Sequence, residues 1–334
     1  MVTGATERPA NPGGSGHAPP GPPLRFKADW GGANLTRVCG WLANWVWNQT
    51  NDHRLSVIHT GRGMADNLRA LARGDVDVAV ITPACFARLA LTGREPFTDD
   101  PIPELRAIGL LPHRDAMLVA ARADIGVAAL ADLATHQPPL RLSIGANDAD
   151  GFMGLGARVV LGSAGLTLAD IEARGGEIRY HEEPFGCLDD LRDGRADVII
   201  AEAIMTPNWV QLAEQIPLRF ISLTAAQLRR LHQEWDMRGI IIPARYLPGM
   251  SEEVATLDYS GWLIVTTSAL PDPVASLLAR AITEYAGPLE MQYRHLPADR
   301  SPLAYPITVE QAAAAPIPLH QAADQVYRSA LRSL

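Results

Sequence analysis

The feature that most constrains this chain is a phrase that occurs twice, L-x-x-G-x-x-D-V, at residues 71–78 and 191–198. Each copy follows an amphipathic run and precedes a short apolar run, at 78–81 and 198–201. A glycine after an amphipathic run is typical of a helix C-terminus, because glycine adopts the left-handed conformation without strain. An apolar run after a tight turn predicts a buried parallel strand. Two copies therefore predict two similar α/β lobes with a ligand cleft between them.

Composition excludes several classes of protein. The chain has 334 residues and a net charge of −8, with no basic stripe of the kind that binds nucleic acid. No apolar run approaches the roughly 20 residues that span a bilayer. The three cysteines, Cys39, Cys85 and Cys187, have neither metal-ligand spacing nor a disulfide framework, so we expect small buried hydrophobes. No motif for a cofactor or a metal is present, and neither is predicted.

The first 23 residues differ from the rest of the chain. They are rich in proline, glycine and serine and almost devoid of large apolar side chains. Such a segment cannot bury enough surface to offset its ordering entropy, so 1–23 is predicted to be disordered. It also lacks the apolar core of a secretory signal, which indicates a cytoplasmic protein if the start is correct.

The order of apolar runs predicts how the chain divides. Strands are expected at 24–30, 55–60 and 76–81, with one helix at 35–50 and another opened by Gly61-Arg62-Gly63. Runs at 105–111 and 117–121 predict a crossing to the second lobe, and His113-Arg114-Asp115 between them is interpreted as a solvated hinge. The second lobe has strands expected at 141–146, 177–183, 198–203 and 218–223, and a helix near 152–163. The run 259–267 predicts the return crossing, and a last helix is expected from about 321.

Several motifs resemble those of one family of binding proteins. They are Gly31-Gly32 before a helix, Thr60-Gly61-x-Gly63-x-x-x-Asn67-Leu68, the crossing run 105–111, Ile242-Pro-Ala-Arg-Tyr246-x-Pro-Gly249, the run 265–271 before a helix, and Ile317-Pro-Leu-His320. In these motifs the chain resembles the TAXI family, the solute receptors of a class of TRAP transporters. The resemblance implies an α/β, two-lobed, type II periplasmic-binding-protein fold with two mixed sheets and a two-strand crossover hinge. It places lobe 1 at 24–116 plus 264–334 and lobe 2 at 117–263.

The same resemblance implies a function. It implies a periplasmic, monomeric, non-enzymatic receptor that captures a small organic acid between its lobes and delivers it to a TRAP membrane permease. Helices beginning at Gly63 and near Gly151 would point their N-termini into the cleft, where free amides attract a carboxylate.

Candidate ligand contacts follow from this arrangement, each with a structural alternative. Arg62 could clamp a carboxylate, or be a solvated first-turn residue. Asp148 and Asp150 suit an ammonium, a hydroxyl or a metal, but are equally good helix caps. An amino-acid-like zwitterion would suit Arg62 opposite Asp150. Glu202 ends a strand, the position at which α/β sheets place ligands, so it could contact a ligand or be a solvated charge there. The remaining candidates are Trp30 and Asn34 at the first turn, His59 and Thr60 at the end of the second strand, which is expected to be buried, and Gly61 and Gly63 after it. Trp30 could stack on a ligand or pack at the lobe edge, His59 could be a core-edge histidine, and Thr60 could be a helix cap.

Two other functions remain open from the sequence. One is a cytoplasmic enzyme on the same fold, a decarboxylase or lyase with Asp148, Asp150 or Glu202 as acid/base groups. The other is a cytoplasmic ligand sensor that closes on a metabolite and signals to a partner protein.

Overall fold

The computed structural model describes residues 21–29, 34–50, 53–203 and 206–333. The predicted disordered tail falls outside these ranges except for 21–23, and Trp30, Gly31 and Gly32 lie outside them as well.

The strands of the described ranges alternate with helices over most of the chain. They are β1 Leu24–Lys27, β2 Ser56–His59, β3 Val78–Ile81, β4 Leu105–Leu111, β5 Ala116–Arg122, β6 Arg141–Gly145, β7 Glu177–His181, β8 Val198–Glu202, β9 Leu218–Phe220, β10 Gly239–Ile242, β11 Val254–Asp258 and β12 Trp262–Thr267.

The α-helices of the same ranges mostly join these strands. They are α1 Asn34–Gln49, α2 Met64–Ala72, α3 Ala87–Thr92, α4 Met153–Ser163, α5 Leu168–Glu172, α6 Pro184–Arg192, α7 Thr206–Gln215, α8 Ala225–Trp235, α9 Asp272–Glu284, α10 Ala286–Met291, α11 Val309–Ala313 and α12 Gln321–Arg332.

The strands form two mixed sheets. The first has the order β2-β1-β3-β12-β4, in which β1 runs parallel to β2 and β3 while β12 runs antiparallel to β3 and β4. The second has the order β10-β11-β5-β8-β6-β7, with β9 paired to β5. The chain passes to the second sheet between β4 and β5 and returns between β11 and β12, as the apolar runs predicted. We call the part built on the first sheet lobe 1 and the part built on the second lobe 2.

The repeated phrase forms the same unit in both sheets. Gly74 and Gly194 have φ of 71° and 69°, the left-handed conformation that ends α2 and α6. Asp77 then accepts hydrogen bonds from the Arg25 backbone amide and guanidinium, at 2.8 and 2.7 Å. Asp197 does the same with Arg141, at 2.8 and 2.6 Å. Each aspartate thus joins the turn before one strand to the parallel strand beside it, which explains why the phrase recurs.

The crossing between the lobes differs from its prediction. His113 and Asp115 were expected to be solvated, but they are 3% and 5% exposed. The His113 ring stacks on Trp262, with centroids 4.5 Å apart. Asp115 Oδ1 accepts hydrogen bonds from the amides of Ala116 and Ala203, at 2.7 and 3.0 Å. The hinge is buried because both crossings pass through the interior.

The remaining differences concern short elements. Strands β10 and β11 and helix α3 were not predicted, because they are short or weakly patterned. Strand β2 was expected to be buried, yet it is the exposed edge of the first sheet, with His59 in solvent.

Candidate functional site

A cavity of about 530 Å³ lies between the two lobes. This volume is in the range of small-molecule sites. Its walls come from both lobes and from the return crossing: Asp29, Asn34, Leu35, Arg37, Arg62, Gly63, Met64, Thr82, Ala146, Asp148, Gly151, Phe152, Met153, Gly154, Glu182, Glu183, Pro184, Phe185, Glu202, Tyr259 and Trp262.

The cavity brings together half of the candidate contacts. Five of the predicted residues line it, namely Asn34, Arg62, Gly63, Asp148 and Glu202. Four others, His59, Thr60, Gly61 and Asp150, do not line it. Trp30 falls outside the described ranges.

The N-terminus of α2 was predicted to offer free amides to a carboxylate. Instead, the amides of Ala65 and Asp66 donate to the backbone carbonyl of Asp150 in lobe 2, at 2.9 and 3.3 Å. The first amides of a helix have no acceptor within the helix, so the other lobe satisfies them here. The contact requires Gly63, because a Cβ there would overlap the Asp150 carbonyl oxygen and lie 2.9 Å from Gly151 Cα. This helix end therefore holds the lobes together and does not offer those amides to a ligand.

Charged side chains reinforce the same contact. The Arg62 guanidinium lies 3.4 Å from the Asp150 carboxylate, so the two residues expected to hold opposite ends of a ligand pair with each other. Arg69 Nη1 donates to Ala149 O at 2.5 Å and lies 3.8 Å from Asp150 Oδ1. We name the surface formed by residues 62–69 and 149–151 the interlobe latch.

An aromatic cluster seals the lobes beside the latch. Phe152, which precedes α4, packs edge-on against Phe86 and Phe97 of lobe 1, with centroids 5.0 and 6.3 Å away. Phe86 also packs against Tyr259, at 5.6 Å. This cluster excludes water from one side of the cavity.

Two other helix N-termini reach the cavity and differ in how they are capped. Helix α1 is capped by Asp29, whose carboxylate accepts from the Leu35 amide at 3.1 Å and from Thr36 Oγ1 at 2.7 Å. At α4, Asp148 Oδ1 accepts from the amides of Asp150 and Gly151, at 2.9 and 3.0 Å, so it stabilises the turn while lining the cavity. No side chain caps α4 itself, and its first residues line the cavity. This end of α4 is suited to accept an anionic group.

Four buried polar side chains form what we call the inner end of the cavity: Thr82, Glu202, Tyr259 and Trp262. Thr82 Oγ1, Tyr259 Oη and Trp262 Nε1 are buried and have no hydrogen-bond partner in the described ranges. Buried polar groups in folded proteins are nearly always paired, because an unpaired group costs its desolvation energy. Unpaired groups on the wall of a cavity are therefore positioned for a ligand or water.

Glu202 ends β8 and is 8% exposed. Burial raises the pKa of its carboxyl group to about 7. Burial also raises the pKa of Tyr259 well above its usual value, and the charges of Glu202 and Asp115 add to this effect. A carboxyl group that titrates near neutrality in a cavity is typical of functional sites.

The sequence left most of the inner end unidentified. Glu202, which ends β8, was identified by the rule that ligands bind at the carboxyl ends of strands, and the same rule could have identified Thr82, which follows β3. Tyr259 and Trp262 flank the return crossing, and no sequence signal separates them from core aromatic residues.

The ranges that the structure describes contain no group of three or more His, Cys, Asp or Glu side chains that could hold a metal ion. Among the same residues, no helix has the length and apolarity needed to cross a membrane.

Comparisons with known proteins agree on the architecture. The NMT1-like family matches residues 37–330. No curated protein matches the chain significantly. The structure of XAC2383 from Xanthomonas citri bound to ATP is similar with a TM-score of 0.53 and 12% identity, over 92% of this chain and 97% of that one. PhnD1 from Prochlorococcus marinus (MIT 9301) in complex with methylphosphonate gives a TM-score of 0.52 and 11% identity, over 93% and 98%. The predicted type II periplasmic-binding-protein fold is confirmed.

Proposed function

The chain belongs to the NMT1-like family, and on this premise we propose that it is a solute-binding protein that captures a small organic acid or amino-acid-like ligand in the interlobe cavity. The observation that carries the proposal is the inner end. Three buried polar groups of the described chain lack partners there, on the wall of a cavity of about 530 Å³. A folded protein retains such unpaired groups where a ligand satisfies them.

The arrangement of the lobes supports capture by closure. The latch and the aromatic cluster join the lobes beside the cavity, and two crossings connect the two sheets. A ligand that contacts both lobes stabilises this closed arrangement by its differential affinity for it. We expect the unliganded protein to open at the latch more often than the liganded protein does, since the ligand adds contacts to both lobes.

Delivery to a TRAP-type permease is the finer part of the proposal. It rests on the resemblance of the motifs from Gly31 to His320 to the TAXI family, and it implies a periplasmic location. The DNA upstream of Met1 and the neighbouring genes test it. An in-frame export signal and an adjacent TRAP membrane subunit are expected, and their absence would contradict this part of the proposal.

A thermal-shift screen tests the binding function. Ligand-stripped protein is heated with amino acids, organic acids and related metabolites, and a true ligand at about 100 times its Kd adds about 2.7 kcal/mol of stability. Trp262→Phe removes one inner-end donor and should reduce the shift, whereas Trp47→Phe, on a half-exposed residue away from the cavity, should preserve it. No stabilisation across the panels would refute the proposal.

One observation favours a second candidate, the enzyme. Glu202 titrates near neutrality beside Tyr259, as a general acid/base would. NMR of each bound compound over a day should reveal products if the protein is a decarboxylase or lyase, and Glu202→Gln should abolish them. Unchanged spectra for all bound compounds would exclude this candidate.

A further inference from the structure

The inner end of the cavity contains a carboxylate that no cation of the described residues pairs with. Glu202 is buried, and within the described ranges no Lys, Arg or His side chain lies within ion-pair distance of it. Burying a carboxylate without a partner is costly, and the charged form is favoured when a cation is placed beside it. Because the described residues supply no such cation, we look to the ligand for it.

The charges around the cavity favour the same type of ligand. Five carboxylates line it against two guanidiniums. One of those guanidiniums, Arg62, is mostly exposed and is already paired with Asp150. A purely anionic ligand would enter a negative environment, while a cationic group would be attracted to it.

Three other groups that line the cavity complete a site for a polar ligand group. Trp262 Nε1–H can only donate, so it requires an acceptor on the ligand. The hydroxyls of Thr82 and Tyr259 can donate or accept, and all three groups lack partners in the described chain. The uncapped N-terminus of α4 lies on the same cavity and favours an anionic group. The cavity therefore presents one place for a cation and separate places for acceptors.

We infer that the inner end of the cavity binds a protonated amine, with the Glu202 carboxylate as its counter-ion and Trp262 as donor to an acceptor on the same molecule. This inference rests on the proposed function and narrows it, because it selects amine-bearing ligands over simple organic acids. A competing arrangement has Glu202 neutral and donating its proton to a ligand carboxylate. The two arrangements predict opposite effects of Glu202→Gln, which has the shape of the protonated acid without its charge.

Calorimetry with matched compounds tests the inference. The probes are glutamate, alanine and 4-aminobutyrate, their amine-free counterparts glutarate, propionate and butyrate, and the amines putrescine and butylamine, each at about pH 8. We expect glutamate, alanine and 4-aminobutyrate to bind at least about 10-fold more tightly than their amine-free counterparts, equivalent to about 1.4 kcal/mol. Glu202→Gln should weaken that binding by about 10-fold or more, and Glu202→Asp by less, since it retains the charge. Putrescine and butylamine carry no acceptor for Trp262 and should bind more weakly than 4-aminobutyrate.

Matched variants and controls make each outcome decisive. Glu252→Gln removes a charge from an exposed residue that does not line the cavity and should change affinity by less than about 2-fold. Circular dichroism must show that each variant is folded. Tight binding of the amine-free acids, retained in Glu202→Gln, would overturn the inference while leaving the proposed function intact. If none of the amine-bearing probes binds, the inference is overturned, and if the wider thermal-shift panels also give nothing, the proposed function fails as well.

Discussion

The latch offers the sharpest test of how the lobes meet. Gly63→Ala adds one methyl group where the α2 N-terminus meets the Asp150 carbonyl. That Cβ would overlap the carbonyl oxygen, 2.7 Å from the carbonyl carbon and 2.9 Å from Gly151 Cα. Gly63 has φ of 175°, extended backbone that alanine also adopts, so the substitution acts on the contact and not on the local conformation.

The size of the effect follows from the distances. Restoring ordinary carbon contacts of about 3.5 Å requires the turn to withdraw by roughly 1 Å. That movement breaks the hydrogen bonds from Ala65 and Asp66, now 2.9 and 3.3 Å long. At about 0.5–1.5 kcal/mol each, the closed arrangement loses about 1–3 kcal/mol. The equilibrium between closed and open lobes should shift about 5- to 150-fold toward the open form.

Hydrogen exchange measures this shift at the two amides. In the native protein the amides of Ala65 and Asp66 should be protected, although first-turn amides normally exchange fast. In Gly63→Ala both should exchange faster by about the factor above, and small-angle scattering should show a larger radius of gyration. Gly40→Ala is the control, since nothing lies within 4 Å of a Cβ there, and it should leave both amides unchanged. If the amides of Ala65 and Asp66 exchange at the wild-type rate in Gly63→Ala, the role of the latch is refuted.

Three further predictions concern stability in the absence of ligand, each followed by urea unfolding across pH. Burial raises the pKa of Glu202 from 4.5 to about 7, so the wild-type protein loses stability as the pH rises from 4.5 to 7. Tyr259 and Cys187, which lie beside Glu202, stay neutral over this range because burial raises their pKa values too. Glu202→Gln should therefore be more stable by up to about 3 kcal/mol at pH 8 and equal to wild type below about pH 4.5, and a pH-independent difference would contradict this. Burial lowers the pKa of His113 to about 3, so stability falls as pH drops below 6.5. The free energy of unfolding of His113→Phe should exceed that of wild type by about 2 kcal/mol at pH 5 and by little at pH 8. A lower free energy of unfolding at both pH values would show that the ring nitrogens are needed. Burial by itself would raise the pKa of the Asp190 carboxyl group. The hydrogen bonds that its carboxylate accepts from His181 and other side chains outweigh this and lower the pKa. Asp190→Asn should cost about 2–4 kcal/mol near pH 7, a difference that shrinks as pH falls below 3.8, and an equal cost at pH 3 would count against the ionic origin.

Local patterns in the sequence determined the architecture. The two L-x-x-G-x-x-D-V phrases predicted the ends of α2 and α6 and the strands β3 and β8, and the structure confirms all four. These features depend on neighbouring residues, since a helix ends at a glycine within one turn and a buried strand shows as an apolar run. The crossings between the sheets could be predicted for the same reason.

Only the tertiary structure decided the composition of the site. The inner end joins Thr82, Glu202, Tyr259 and Trp262, which lie on segments up to 180 residues apart and share no spacing that a sequence pattern could detect. The sequence identified Gly63 and Asp150 individually but assigned both to the ligand, whereas the fold pairs them across the latch. His113 looked solvated because a short polar run between strands usually is, yet the crossings bury it. Periodicity reports which face of an element is covered, and the partner that covers it depends on how distant segments pack.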